Sequence, residues 1–150
     1  MSIVTLAEAK LHLRVTGGDE DTLIQAHLNA AEILSSSWMG RTIFADQGAL
    51  TTARAAVPAA LSAATTAYVN AVDAAAALTS EAEACIALNA AELDYQRAQT
   101  AARMTHAGIV INDLIKAAVL LTVGALYADR EAAEPPKAAQ HLLQPHKLYG

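Results

Sequence analysis

A single cysteine, a single tryptophan and a single phenylalanine are all that this 150-residue chain has of those three types. Each scarcity excludes something. Cys85 cannot close an internal disulfide, so nothing in the sequence calls for an oxidising compartment. In its alanine-rich surroundings it reads as a small packed hydrophobe. Aromatic residues make up 4% of the chain although 54% is hydrophobic. Alanine fills the difference, and it favours helix while contributing little burial energy per residue. Basic runs are absent: ten Lys and Arg are scattered along a chain of net charge −5. That argues against sequence-specific DNA binding, which needs clustered cations on phosphates. It leaves open a role beside DNA that must slide. A long apolar run is missing as well. The most apolar stretch, Ala117 to Ala128, covers about twelve residues where a bilayer-spanning helix needs about twenty. The opening "MSIVTLAEAK" is too short and too polar for a secretory signal, and a soluble protein is expected.

Catalytic patterns are also lacking. No glycine-rich turn follows a strand, and the serines of "SSSWMG" have no strand–turn–helix context to make one a nucleophile. His12, His27 and His106 are scattered. His141 and His146 are separated by Pro145 and cannot share a regular helical face as a metal pair would. Glu81/Glu83 and Glu92/Asp94 stand two apart, which points them to different faces of a helix. Asp19, Glu20 and Asp21 lack the alternation and glycine of a calcium loop and suit a helix start. An enzyme has no anchoring constellation here, and no cofactor or metal is expected.

What is present is helical punctuation. Thr5 and Glu8 form a capping box before Leu6, Ala9 and Leu13, with Gly17-Gly18 as the stop. The acidic triplet opens a second helix with Ile24, Leu28, Ala31 and Trp38 on one face, Leu23 and Leu34 beside them, and Gly40 ending it. Thr42-Ile43-Phe44 predicts a short extended piece before a helix near Asp46. From Pro58, placed in a first turn, to about His106 the chain is dominated by alanine. Leu61, Tyr68, Val69, Val72 and Ala76 can line one stripe, and Ile86, Ala90 and Leu93 another. Ser80 and Glu83 offer a second capping box, so two antiparallel helices with a turn near Thr79 are expected. The rival is one helix of about 48 residues, roughly 70 Å long.

After Gly108, Asn112 or Asp113 caps the strongest core element. Leu114, Ile115, Ala118, Val119, Leu121, Val123 and Leu126 make it apolar nearly all round, which predicts a helix surrounded by protein with Tyr127 at its wet end. Pro135-Pro136 breaks it, and a short amphipathic piece carries Ala139, Leu142 and Leu143 to Pro145. The expected fold is all-α: one domain, residues 1–150, a small helical bundle. It carries an alanine-rich helical insertion at 45–108 and an extended C-terminal tail at 135–150.

Four segments in order carry a family resemblance: "VTLAEAKLHLRV", "DEDTLIQAHLNAAEILSSSWMGR", "IKAAVLLTVGALYADREA" and "HLLQPHKLYG". Together they resemble the head–tail connector (neck adaptor) family of tailed bacteriophages and prophages, over about half the chain. The resemblance implies a structural subunit without catalysis. Family members form rings under the portal, usually of twelve subunits, join it to the next neck or tail component and continue the DNA channel. The implied partners are copies of itself, the portal protein, the next neck protein (a stopper or tail terminator) and double-stranded DNA passing through without sequence-specific binding. No membrane is implied. The implied location is the virion neck, and the host cytoplasm during assembly. Carried over, Ile115, Leu121, Leu126 and Tyr127 belong to the central helix. Leu142, Leu143, Pro145, His146 and Tyr149 are portal-contact candidates, so deleting residues 141–150 is expected to spare the fold and abolish attachment. The alanine-rich middle departs from many relatives. The alternatives are another neck component (stopper or tail-completion protein), which is often strand-rich, and a small DNA-packaging enzyme, which would need the metal-binding set this chain lacks.

Overall fold

The computed structural model describes residues 3–129 and 134–148. In chain order the elements are α1 (Leu6–Leu13), α2 (Asp21–Met39), β1 (Ile43–Phe44), α3 (Gln47–Ala76), α4 (Glu81–His106), β2 (Ile109–Val110), α5 (Asp113–Ala128) and α6 (Lys137–Leu143). A single 3₁₀ turn, Gln144–His146, follows α6. The all-α class therefore holds, with two two-residue strands as its only sheet among the described residues.

The caps explain the boundaries. Thr5 accepts from the Glu8 amide at 3.3 Å, and Glu8 Oε2 accepts from the Thr5 amide at 2.9 Å. That reciprocal pair satisfies two donors the first turn would otherwise orphan. Helix α1 stops earlier than the Gly17-Gly18 pair suggests. Arg14 takes a left-handed φ of 60°, and its amide turns back to the carbonyls of Lys10 and Leu11. Gly40 ends α2 at φ 68°, a conformation that suits a residue without Cβ. Asn112, rather than Asp113, caps α5, its Oδ1 accepting from the Ile115 amide at 2.9 Å.

The chain divides into two compact units, one formed by the described residues up to Leu50 and from Ala107 onward, the other by Thr51–His106. In the first, α5 packs against α2 and α6, and α1 lies against both α2 and α5. Ile24, Leu28, Ala31 and Met39 of α2 meet Ile115, Ala118, Val119 and Val123 of α5 in one core, all at 1% exposure or less. Each large side chain so buried contributes about 1.5–3 kcal/mol. Trp38 lies beside this face and only partly buried, and Ser35 and Met39 complete the stripe instead. Helix α5 is not enclosed on every side: Leu114 stays 46% exposed. At the N-terminal edge the Glu32 carboxylate accepts from the amides of Ile3 and Val4 at 2.7 and 3.0 Å, which fixes buried Val4 over the core.

Strands β1 and β2 pair in parallel, Ile43 with Ile109 and Phe44 with Val110. Parallel pairing requires a long crossover, and here α3 and α4 supply it.

The second unit is a helical hairpin, which settles the choice against one long helix. Tyr68 and Tyr95 stack with centroids 5.2 Å apart, and Arg54 Nε donates to the His106 carbonyl at 2.9 Å, so α3 and α4 run antiparallel. The Glu83 amide donates to Ser80 Oγ at 3.4 Å where α4 starts. Helix α3 begins at Gln47, with the Asp46 carboxylate accepting from the Ala49 amide at 2.8 Å. Pro58 therefore lies inside it and not in its first turn; its ring nitrogen has no hydrogen to give the fourth residue back.

Candidate functional site

Residues 135–148 are where the sequence places partner contacts, and they are folded rather than extended. Pro136 precedes α6, Gln140 Nε2 donates to the Pro135 carbonyl at 2.8 Å, and Ala139 and Leu143 are fully buried in the first unit's core. The segment has apolar residues at helical spacing, and α5 offers a face for them. Beyond it the Leu148 amide donates to the Met39 carbonyl at 2.9 Å, and Lys147 Nζ stands 4.2 Å from the centre of the Trp38 ring.

The portal-contact candidates therefore separate. Leu143 is a core residue and cannot grip a partner in this conformation. Leu142 is half-buried against the core, Pro145 is exposed and His146 is half-buried. Tyr149 lies outside the described residues. Asn112 Nδ2 lies 3.2 Å from His146 Nε2 while its Oδ1 accepts from the Ile115 amide. With the amide so oriented, Asn112 donates and His146 accepts, which requires a neutral imidazole protonated on Nδ1. His146 thus braces the cap of α5, a role its sequence position does not announce. Deleting residues 141–150 would remove Leu143 from the core, so the deletion is expected to cost stability where the sequence reading expects it to spare the fold.

Among the central-helix candidates, Ile115 is fully buried and Leu126 is 7% exposed, while Leu121 and Tyr127 pack at the core's edge. Tyr127 Oη donates to Glu20 Oε2 at 2.8 Å, and that bond to a carboxylate raises the phenol's pKa. His27 meets its ring edge-on at 6.4 Å. Glu8 does more than cap α1. It pairs with Lys116 of α5, and this bond, with those from Thr5, lowers its pKa from the ordinary 4.5 to about 2.

No group of three or more His, Cys, Asp or Glu side chains is placed to hold a metal among the described residues. A groove of about 570 Å³ lies between α3 and α4, lined by Val57, Leu61, Thr65, Tyr95, Arg103 and His106 among others. It is an open trough between helices and assembles no acid–base pair.

The faces of the hairpin are distributed unexpectedly. The partly buried positions of α4 include Ala84, Ala87, Ala91, Tyr95, Ala98, Ala102 and Thr105, each three or four residues from the last, with Met104 beside them. On α3 they include Val57, Leu61, Ala64, Tyr68 and Ala71, followed by buried Ala75. Alanine thus lines the inner seam, and no residue of α4 is fully buried. Several larger residues point away: Ile86 is 69% exposed, Leu93 52% and Val69 49%. By length and composition α3 is also long and apolar enough to cross a bilayer, with a mean hydropathy of 1.2 over its best window and none of that window buried. Its apolarity is spread over many alanines, so it lacks the large-residue run that makes Ala117–Ala128 of α5 stand out in the sequence.

No protein-family model matches this chain, and no curated protein or solved structure is significantly similar to it.

Proposed function

We propose that this protein is a structural head–tail connector subunit of a tailed phage or prophage, a neck adaptor that assembles as a ring under the portal. One observation carries the reading. The segments on which the resemblance rests lie at opposite ends of the sequence, yet their described residues fold into one unit, with the alanine-rich stretch forming the other. An adaptor core interrupted by an insertion has that organisation. The exposed Pro145 and the half-exposed Leu142 and His146 would form its portal-facing patch, and Leu143 would hold that patch in place from below.

The test is cryo-electron microscopy or native mass spectrometry of the chain mixed with the portal protein encoded beside it. A closed ring on the portal is expected. A chain that stays monomeric with portal present, or a gene set among metabolic genes, overturns the reading. Pro145→Asp should weaken attachment while leaving the helical signal unchanged.

A further inference from the structure

Helix α4 carries a second stripe, separate from its inner seam. Glu83, Ile86, Ala90, Leu93 and Arg97 follow one another at spacings of three and four residues and so share one face. Ile86 and Leu93 are the most exposed of its large apolar residues, at 69% and 52%. Arg97 is bonded to Asp94 at 2.9 Å in a pair whose side chains are 76% and 74% exposed. Such a surface pair constrains the arginine only weakly.

The stripe is self-complementary. It is acidic at one end, basic at the other, apolar between, and has a small residue at its middle. We propose that it is a docking surface for a second copy of the same chain, the two α4 helices pairing antiparallel about a two-fold axis through Ala90. In that arrangement Ile86 of each copy faces Leu93 of the other, twice. Glu83 of each copy faces Arg97 of the other, also twice. Ala90 sits where the helices approach most closely. A parallel pairing would place Glu83 on Glu83 and Arg97 on Arg97, and like charges oppose it. A two-fold contact of this kind uses the same patch on both copies and closes at two. It therefore cannot be the repeating contact of a ring, and it does not rest on the neck adaptor reading.

The test is the full chain in analytical ultracentrifugation over a wide concentration range. A concentration-dependent dimer is expected. Leu93→Asp should weaken it by about tenfold or more without loss of helical circular dichroism. Glu83→Arg and Arg97→Glu should each weaken it, and the double exchange should restore it. Geometry gives a second measurement. Ala90→Cys in a Cys85→Ser chain should cross-link copy to copy under mild oxidation. The native Cys85 should not, because two such residues would stand about 15 Å apart along the axis, beyond disulfide reach. Ready Cys85–Cys85 cross-linking overturns the antiparallel register. A monomer at every concentration with no Ala90→Cys cross-link overturns the dimer, as does apolar-stripe-dependent binding to phosphatidylcholine vesicles in its place. Either failure leaves the neck adaptor reading standing.

Discussion

Leu28 and Ile86 are nearly the same size and both sit on long helices, yet Leu28 is wholly buried and Ile86 is 69% exposed. The difference separates the two units. In the first, the large apolar side chains of α2 and α5 point at each other and the small ones fill between. In the second, alanine supplies much of the inner seam, and Ile86, Leu93 and Val69 face outward. Equal hydrophobicity therefore does unequal work, because burial needs a partner surface as well as an apolar side chain.

Truncation should break that comparison most visibly. Leu28→Ala is expected to cost about 2–5 kcal/mol in chemical denaturation, as for other buried leucines. Ile86→Ala should change monomer stability by no more than about 0.5 kcal/mol, as for a surface site. A large loss from Ile86 at dilutions where the chain is monomeric would show that the hairpin has a core after all.

Acid comes next and should act on the first unit through Glu8. Its folded pKa of about 2 lies below the ordinary 4.5, so its contribution is present above pH 4.5 and is lost as pH falls toward 2. Glu8→Gln should lower stability at neutral pH and flatten the acid limb of a thermal melt. An unchanged limb would mean that the Lys116 pairing contributes nothing.

A smaller effect is expected at Ser35, whose buried hydroxyl has no partner among the described residues. Removing an unsatisfied buried polar group is neutral or favourable, so Ser35→Ala should raise stability by up to about 1 kcal/mol. A loss would reveal a bond to water. The smallest effect belongs to the hairpin's stacked tyrosines. The Glu92 carboxylate raises the Tyr68 pKa, while hydrogen bonds from Thr65 and Gln99 lower that of Tyr95. An alkaline titration followed by NMR should show Tyr95 ionising first, and simultaneous ionisation would mean the rings do not sit in these separate environments.

Much of the first unit was legible because its signals are local. Thr5, Gly40 and Asn112 each act within a few residues of themselves, and the 24–28–31 stripe pairs with the obvious apolar helix α5. Ser80 likewise marked the hairpin turn. On α3, Leu61, Tyr68 and Val72 of the expected stripe are partly buried, but the α4 side of the seam was not legible, for a physical reason. Ile86, Ala90 and Leu93 do share a stripe, but periodicity alone does not say which stripe faces the neighbouring helix, and here the alanine-rich one does. Pro58 misled because a first turn is where proline fits best, although a long helix can also accommodate one. The tail misled because two prolines and a short apolar piece read as extended. Only the face offered by α5 makes Lys137–Leu143 a helix, and only the amide of Asn112 gives His146 its task.

The parallel pairing of β1 with β2, and the packing of α2 against α5, have a consequence for chain continuity. Both members of each pair lie on opposite sides of the 77–80 turn in sequence, so the first unit is assembled from two stretches that need not be joined. A protein severed in that turn would be a split protein. Its halves, residues 1–78 and 79–150, should find each other when produced together, because each alone holds only one wall of the Leu28–Val119 core.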